Sequence, residues 1–117
     1  MKPPLSRQQL QDKRSTPMEG QRAYSPAEIQ AQLDNLAGWR FEDGFIVRSF
    51  AFRDYHETIA FVNALAWMIH GEDHHPEIEI GYNRCSVRWN THSVNGISEN
   101  DFICAAKADA VFARKTL

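Results

Sequence analysis

Four of the five histidines in this 117-residue chain lie in one short span: His70, the adjacent pair His74 and His75, and His92. Pro76 follows the pair directly, and Asp101 stands a little beyond His92. Imidazole has an ordinary pKa near ~6.5, so both of its protonation states are accessible at neutral pH. Such a group of rings can hold a metal or move protons. For a metal, His70 and His74 have the spacing that puts two imidazoles on one helical face. The zinc-protease pattern, however, has glutamate directly after its first histidine, and Gly71 holds that place here. Pro76 also unwinds the helix near His74, and neither cysteine has ligand spacing, so no metal is expected. For proton transfer, one neutral ring can accept while another, charged, donates, an effect typically worth about 10²–10⁴-fold. For any one of these histidines alone, a surface or interface position is the better reading. The His-His-Pro junction together with a distant Thr91-His92 at a strand end weakens that surface reading without removing it.

The elements that must position these rings can be read from local signals. Ser25-Pro26-Ala27-Glu28 is a capping box with proline at the first helical position. Ile29, Leu33 and Leu36 then repeat at helical spacing until Gly38. Trp39 to Glu42 and Phe45 to Phe52 read as strands joined by an Asp43-Gly44 hairpin turn. Asp54 starts a second helix with an apolar stripe of Phe61, Leu65 and Met68, which must end before the histidine pair because Pro76 follows. Ile78, Ile80 and Tyr82 alternate with Glu77, Glu79 and Gly81, which predicts a half-buried strand. A turn at Asn83-Arg84 leads to a fourth strand with Cys85, Val87, Trp89 and Thr91 on one face. Asn95-Gly96 turns the chain again, and Ser98 starts a third helix with Asp101 where a capping box would carry Glu or Gln. The order is α-β-β-α-β-β-α, which predicts an α+β fold: a four-stranded antiparallel sheet with helices on one face.

Composition sets the outer limits. The length suits one domain. Residues 1–22, rich in Gln, Arg and Pro, read as a mobile extension before a domain spanning 23–117. The net charge of −2 gives no field to draw the chain to nucleic acid or an anionic membrane. No apolar run is long enough to span a bilayer and no secretory signal is visible. Cys85 and Cys104 could pair, but two free thiols in a reducing cytoplasm is the plainer reading.

From Trp39 onward, and most specifically from His70 to Asp101, the chain resembles the pterin-4a-carbinolamine dehydratases. The residues that carry the resemblance are His70, His74-His75-Pro76, Tyr82, Thr91-His92, Gly96-Ile97-Ser98 and Asp101, all at fixed offsets. Leu36-Ala37-Gly38-Trp39 and the Phe50-Ala51-Phe52-Arg53-Asp54-Tyr55 stretch are similar too. His70 departs from the pattern, since relatives commonly hold Glu there, and Ile97 replaces a commoner Leu.

The resemblance implies a hydro-lyase that dehydrates 4a-hydroxytetrahydropterin to quinonoid dihydropterin without a cofactor. Such an enzyme supports tetrahydrobiopterin recycling for aromatic amino acid hydroxylases. It implies His74 and His92 as the acid–base pair, with their division of labour open, and His75 as a residue that orients or hydrogen-bonds the pterin. It implies that Asp101 steers an imidazole, although a carboxylate at that helix start also stabilises the dipole by roughly 0.3–1 kcal/mol. Trp39, His70 and Thr91 are candidates to border the substrate, with a core position equally open for Trp39. Strict alternation puts His92 on the face opposite Trp89, so either the strand ends at Thr91 or the pocket lies at the sheet's edge. A homo-oligomer, dimer or tetramer, is implied as well. Two other readings stay open: a dimerisation cofactor for a transcription factor, and a pterin-binding protein with little turnover, the latter suggested by His70.

Overall fold

A computed structural model describes residues 3–114. Its elements are α1 (Arg7–Gln11), α2 (Pro26–Leu33), β1 (Arg40–Glu42), β2 (Phe45–Ala51), α3 (Tyr55–Glu72), β3 (Glu77–Ile80), β4 (Arg84–Trp89), a 3-10 turn (His92–Val94) and α4 (Glu99–Arg114). The sheet is antiparallel in the order β1-β2-β4-β3. This is the expected α+β architecture with one further short helix at the start.

The pleat sorts side chains by parity. Ile46 pairs with Trp89 and Phe50 with Cys85 across β2 and β4, and all four are buried. That face receives α3 and α4. The opposite face carries polar pairs such as Ser49 and Ser86, whose hydroxyls are 2.8 Å apart. Phe50, Phe52, Phe61 and Phe112 form an aromatic cluster between sheet and helices, with ring centroids 4.8–6.1 Å apart. The helix starts follow their sequence signals. Ser25 and Glu28 close a reciprocal capping box on α2, and Asp54 accepts the Glu57 N–H at the start of α3. The first of these helices ends at Leu33, earlier than Gly38, yet Leu36 is fully buried in the turn that follows.

Two expectations are corrected. Residues 1–22 read as a mobile extension, but the stretch from Leu5 to Thr16 is tied to the domain; residues 1 and 2 and 115–117 lie outside the described residues. Helix α1 is short, but its capping box of Ser6 and Gln9 fixes its start and Leu10 is fully buried against the core. Gln32 clamps the chain at Leu5, its amide accepting the Leu5 N–H at 2.8 Å and donating to the Leu5 carbonyl at 2.7 Å. β3 is less buried than its alternation suggests. It is an edge strand whose inner face is covered only at Ile78, so Ile80 is 43% exposed, and Tyr82 beyond the strand is 67% exposed.

Candidate active site

The site grows from two helix ends. α3 stops at Glu72, and Asp73 takes a left-handed conformation with φ of 52°. This turns the chain before Pro76 would force it to and releases His74 from the helix. α4 starts after Ser98, and Asp101 occupies its third position. Thr91 sits between them, on the stretch that leaves β4.

His74 Nε2 lies 2.6 Å from Asp101 Oδ1. Asp101 is fully buried, while the His74 side chain keeps 13% of its exposure. The other carboxylate oxygen, Oδ2, accepts the Ser98 N–H and the Thr91 hydroxyl, both at 2.8 Å. Thr91 has spent its proton, so Ser98 Oγ, 2.6 Å away, donates to Thr91 Oγ1 and itself accepts the Asn100 N–H at 3.2 Å. The result is a chain of donors that all converge on one carboxylate. Each bond polarises the next, and Asp101 is spared the cost of an unpaired buried charge. One oxygen of Asp101 thus meets the helix start and the other the imidazole. With Nε2 committed, Nδ1 is the His74 nitrogen left for proton exchange.

His74 and Thr91 line a cavity of about 330 Å³, a size within the usual range for small-molecule sites. One wall is the end of α3, with Glu72 and Asp73. The other is a segment absent from the sequence expectations, Ser15 to Glu19. Burial alone would raise the Glu72 pKa, but the Ser15 N–H, the Lys107 ammonium 2.9 Å away and Arg14 together hold it below the ordinary carboxylate value. Glu72 is thus an ionised buried carboxylate beside the site, and no sequence signal marked it.

The remaining candidates scatter. His92 is exposed on the 3-10 turn and lines a neighbouring recess with Asp43, Gly44 and Asn95; Thr91 borders both recesses. The parity question is answered by the strand itself. β4 stops at Trp89, and Thr91 keeps only an isolated bridge to Gly96 before the turn begins. His75 and His70 are exposed and line neither recess. α3 ends between His70 and His74, so the two-histidine helical face does not form. Among the described residues no group of three or more His, Cys, Asp or Glu side chains gathers to hold a metal. Of the two readings open for Trp39, the structure has the core position: it is 6% exposed, lines neither recess, and its indole N–H reaches both oxygens of Asp109 at 3.0 and 3.1 Å. Its hydrogen-bonding tip is satisfied inside the protein, as that of a buried indole usually is.

Compared with known families, residues 22–111 match the family described as Pterin 4 alpha carbinolamine dehydratase. The chain belongs to that family. Relatives bearing the pterin-4-alpha-carbinolamine dehydratase name include a Bdellovibrio bacteriovorus protein, 54% identical over 111 residues, covering 92% of this chain and 91% of the relative. Another, from Nitrosospira multiformis, is 48% identical over 104 residues, covering 88% of this chain and 92% of the relative. Among solved structures, a transcriptional coactivator/pterin dehydratase from Brucella melitensis superposes with a TM-score of 0.73 at 36% identity, over 77% of this chain and 98% of its own. The Pterin 4 alpha carbinolamine dehydratase match begins at residue 22, so the segment Ser15 to Glu19 precedes the matched region yet supplies one wall of the cavity.

Proposed function

We propose that this protein is a hydro-lyase that dehydrates 4a-hydroxytetrahydropterin to quinonoid dihydropterin, with His74 and His92 as the proton-moving pair. The C4a–O bond breaks and the hydroxyl, given a proton by one imidazole, departs as water. The other imidazole takes the N5 proton, and the N5 electron pair closes the C4a=N5 double bond. A flat ring bound over Thr91 would meet His74 from one recess and His92 from the other. His75, exposed beside His74, would hydrogen-bond the part of the pterin that projects outward. His70 has no part in this reading.

The observation that carries it is the 2.6 Å bond from His74 to the fully buried Asp101 at the wall of a cavity of substrate size. A carboxylate so placed fixes the tautomer and rotation of the ring and stabilises the imidazolium that forms in transit. The decisive experiment follows the ultraviolet decay of freshly made carbinolamine with and without the protein. Acceleration is expected; equal decay rates would remove the reading.

The physiological role that fits is recycling of tetrahydropterin for aromatic amino acid hydroxylases in the cytoplasm. No helix among the described residues is long and apolar enough to cross a membrane. Association into a dimer or tetramer fits the unpaired edge of β3 and the exposed Trp67, 79% accessible. That exposed tryptophan, with the coactivator role in the Brucella protein's name, is what favours the second reading, an adaptor. A His74→Ala variant separates the two: loss of dehydration with intact assembly supports the enzyme, and an unchanged phenotype in cells supports the adaptor.

A further inference from the structure

The chain between α1 and Tyr24 has no regular structure of its own, yet it is tied to the domain as far as Thr16 and again at Tyr24. α1 is held to α4 by buried Leu10 and by the Gln11 amide, which donates to the Ala106 carbonyl at 3.0 Å. Beyond it, the Arg14 guanidinium reaches the Gly71 carbonyl at 2.9 Å and the Glu72 carboxylate at 3.1 Å. The Ser15 N–H donates to Glu72 at 2.8 Å. The Thr16 N–H donates to Asn100 Oδ1 at 3.1 Å, and the Asn100 amide returns a bond to the Thr16 carbonyl at 2.6 Å. At the far end, the Tyr24 N–H donates to the Ile97 carbonyl at 2.8 Å.

The anchors are not arbitrary positions. Glu72 closes the helix that releases His74, and Asn100 directly precedes Asp101. The same two helix ends that bring the imidazole and its carboxylate together therefore also set the register of this segment, and Ser15 to Glu19 line the cavity into which His74 and Thr91 face. Half-buried Met18 brings a polarisable side chain suited to the face of a flat ring.

We propose that Ser15–Glu19 form the substrate-selecting wall of the site and that Asn100 and Glu72 are the residues that position it. The proposal rests on the pterin reading above. A wall held in place before the ligand arrives lowers the ordering cost of binding and leaves the proton transfers to His74 and His92. Loosening it should weaken binding more than it slows the chemistry.

The test is steady-state dehydration by the full chain and two variants. Asn100→Ala removes both bonds to Thr16 and leaves the backbone N–H that caps Ser98 in place. A Thr16→Gly/Pro17→Gly double variant loosens the wall from its own side without touching α4. In both, KM for the carbinolamine is expected to rise about tenfold, roughly 1.4 kcal/mol of lost binding, with kcat within about threefold of the parent. A second readout needs no turnover: trypsin cleavage after Arg14 is expected to slow several-fold when the parent protein is saturated with a stable pterin, and to lose that protection in Asn100→Ala. An unchanged KM in both variants, or cleavage indifferent to pterin in the parent, overturns the wall and leaves the dehydratase reading standing. A parent protein that neither speeds carbinolamine decay nor binds the stable pterin overturns both.

Discussion

The imidazole of His74 lies flat against the indole of Trp89, with ring centroids 5.6 Å apart and planes inclined by 11°. Trp89 is the last residue of β4 and fully buried, so its ring is a fixed plate set by the sheet. Asp101 fixes the same imidazole edge-on through Nε2. Stacking holds the ring plane and the carboxylate holds rotation within it. A group constrained in both senses pays its ordering cost on folding rather than at the moment of reaction.

Asp101→Asn keeps the size of the side chain but replaces one acceptor oxygen with a donor amide. The expected outcome is native circular dichroism, a stability loss of about 1–3 kcal/mol from the disturbed buried bonds, and a carbinolamine dehydration rate lowered by ~10² or more. The measurement is kcat beside a urea unfolding curve. A normal rate in a folded variant would show that the carboxylate does not steer the imidazole.

Trp89 Nε1 is buried without a hydrogen-bond partner. Trp89→Ala should cost about 3–5 kcal/mol as a core truncation. Trp89→Phe keeps an aromatic plate beneath His74 and removes an orphan donor whose burial costs about 1–3 kcal/mol, so it should cost clearly less. Urea midpoints decide it; equal losses for the two variants would mean that the indole N–H is satisfied.

Glu72 gives the protein an acid-sensitive contact. Its folded pKa lies below its unfolded value, because the Ser15 N–H, Lys107 and Arg14 outweigh the opposing effect of burial. A depressed carboxylate stabilises the fold above the unfolded pKa of roughly 4.3 and loses that contribution as pH falls through the lower folded value. Glu72→Gln leaves Lys107, 16% exposed, without its partner. At pH 7 the substitution should cost about 3 kcal/mol, the low end of the range for breaking a buried pair. The gap between parent and variant should narrow as pH is lowered below about 4. Urea titrations at both pH values test this, and a gap that stays constant refutes it.

The two thiols should be inert in the folded state. Cys85 and Cys104 are free and fully buried, and burial pushes their pKa values up to about 11 and about 12. Only the thiolate attacks, so labelling by a disulfide reagent at neutral pH is expected to follow the opening of the fold. It should become fast in denaturant. Rapid labelling of either cysteine in the native protein would contradict the packing of β4 or α4.

Much of this architecture was legible because its determinants are local. Pro76 required α3 to stop before His74, and the chain obliges at Glu72 and Asp73. Ser98 and Asp101 announced the start of α4, and that same aspartate is the one His74 finds. The early segment was misjudged because Gln- and Arg-rich composition masked Ser6-Arg7-Gln8-Gln9, a capping box present in the sequence, and a single leucine is a weak core signal. The strand ending in β4 was equally hard to read: Thr91 keeps the apolar parity and is buried, but its hydroxyl belongs to Asp101 rather than to the sheet.

The sequence by itself determined the elements from α2 onward, their order, the two helix ends and the fixed offsets of the histidine signature. These depend on φ restriction, capping and side-chain period, which act over a few residues. Only the tertiary structure decided that one oxygen of Asp101 caps a helix while the other holds His74, that Trp39 spends its N–H on Asp109, and that Ser15 and Thr16 meet Glu72 and Asn100. Those partners stand 27, 70, 57 and 84 residues apart. Distant polar groups are paired by whichever arrangement of the whole core leaves the fewest of them buried and unsatisfied, and no local pattern encodes that choice.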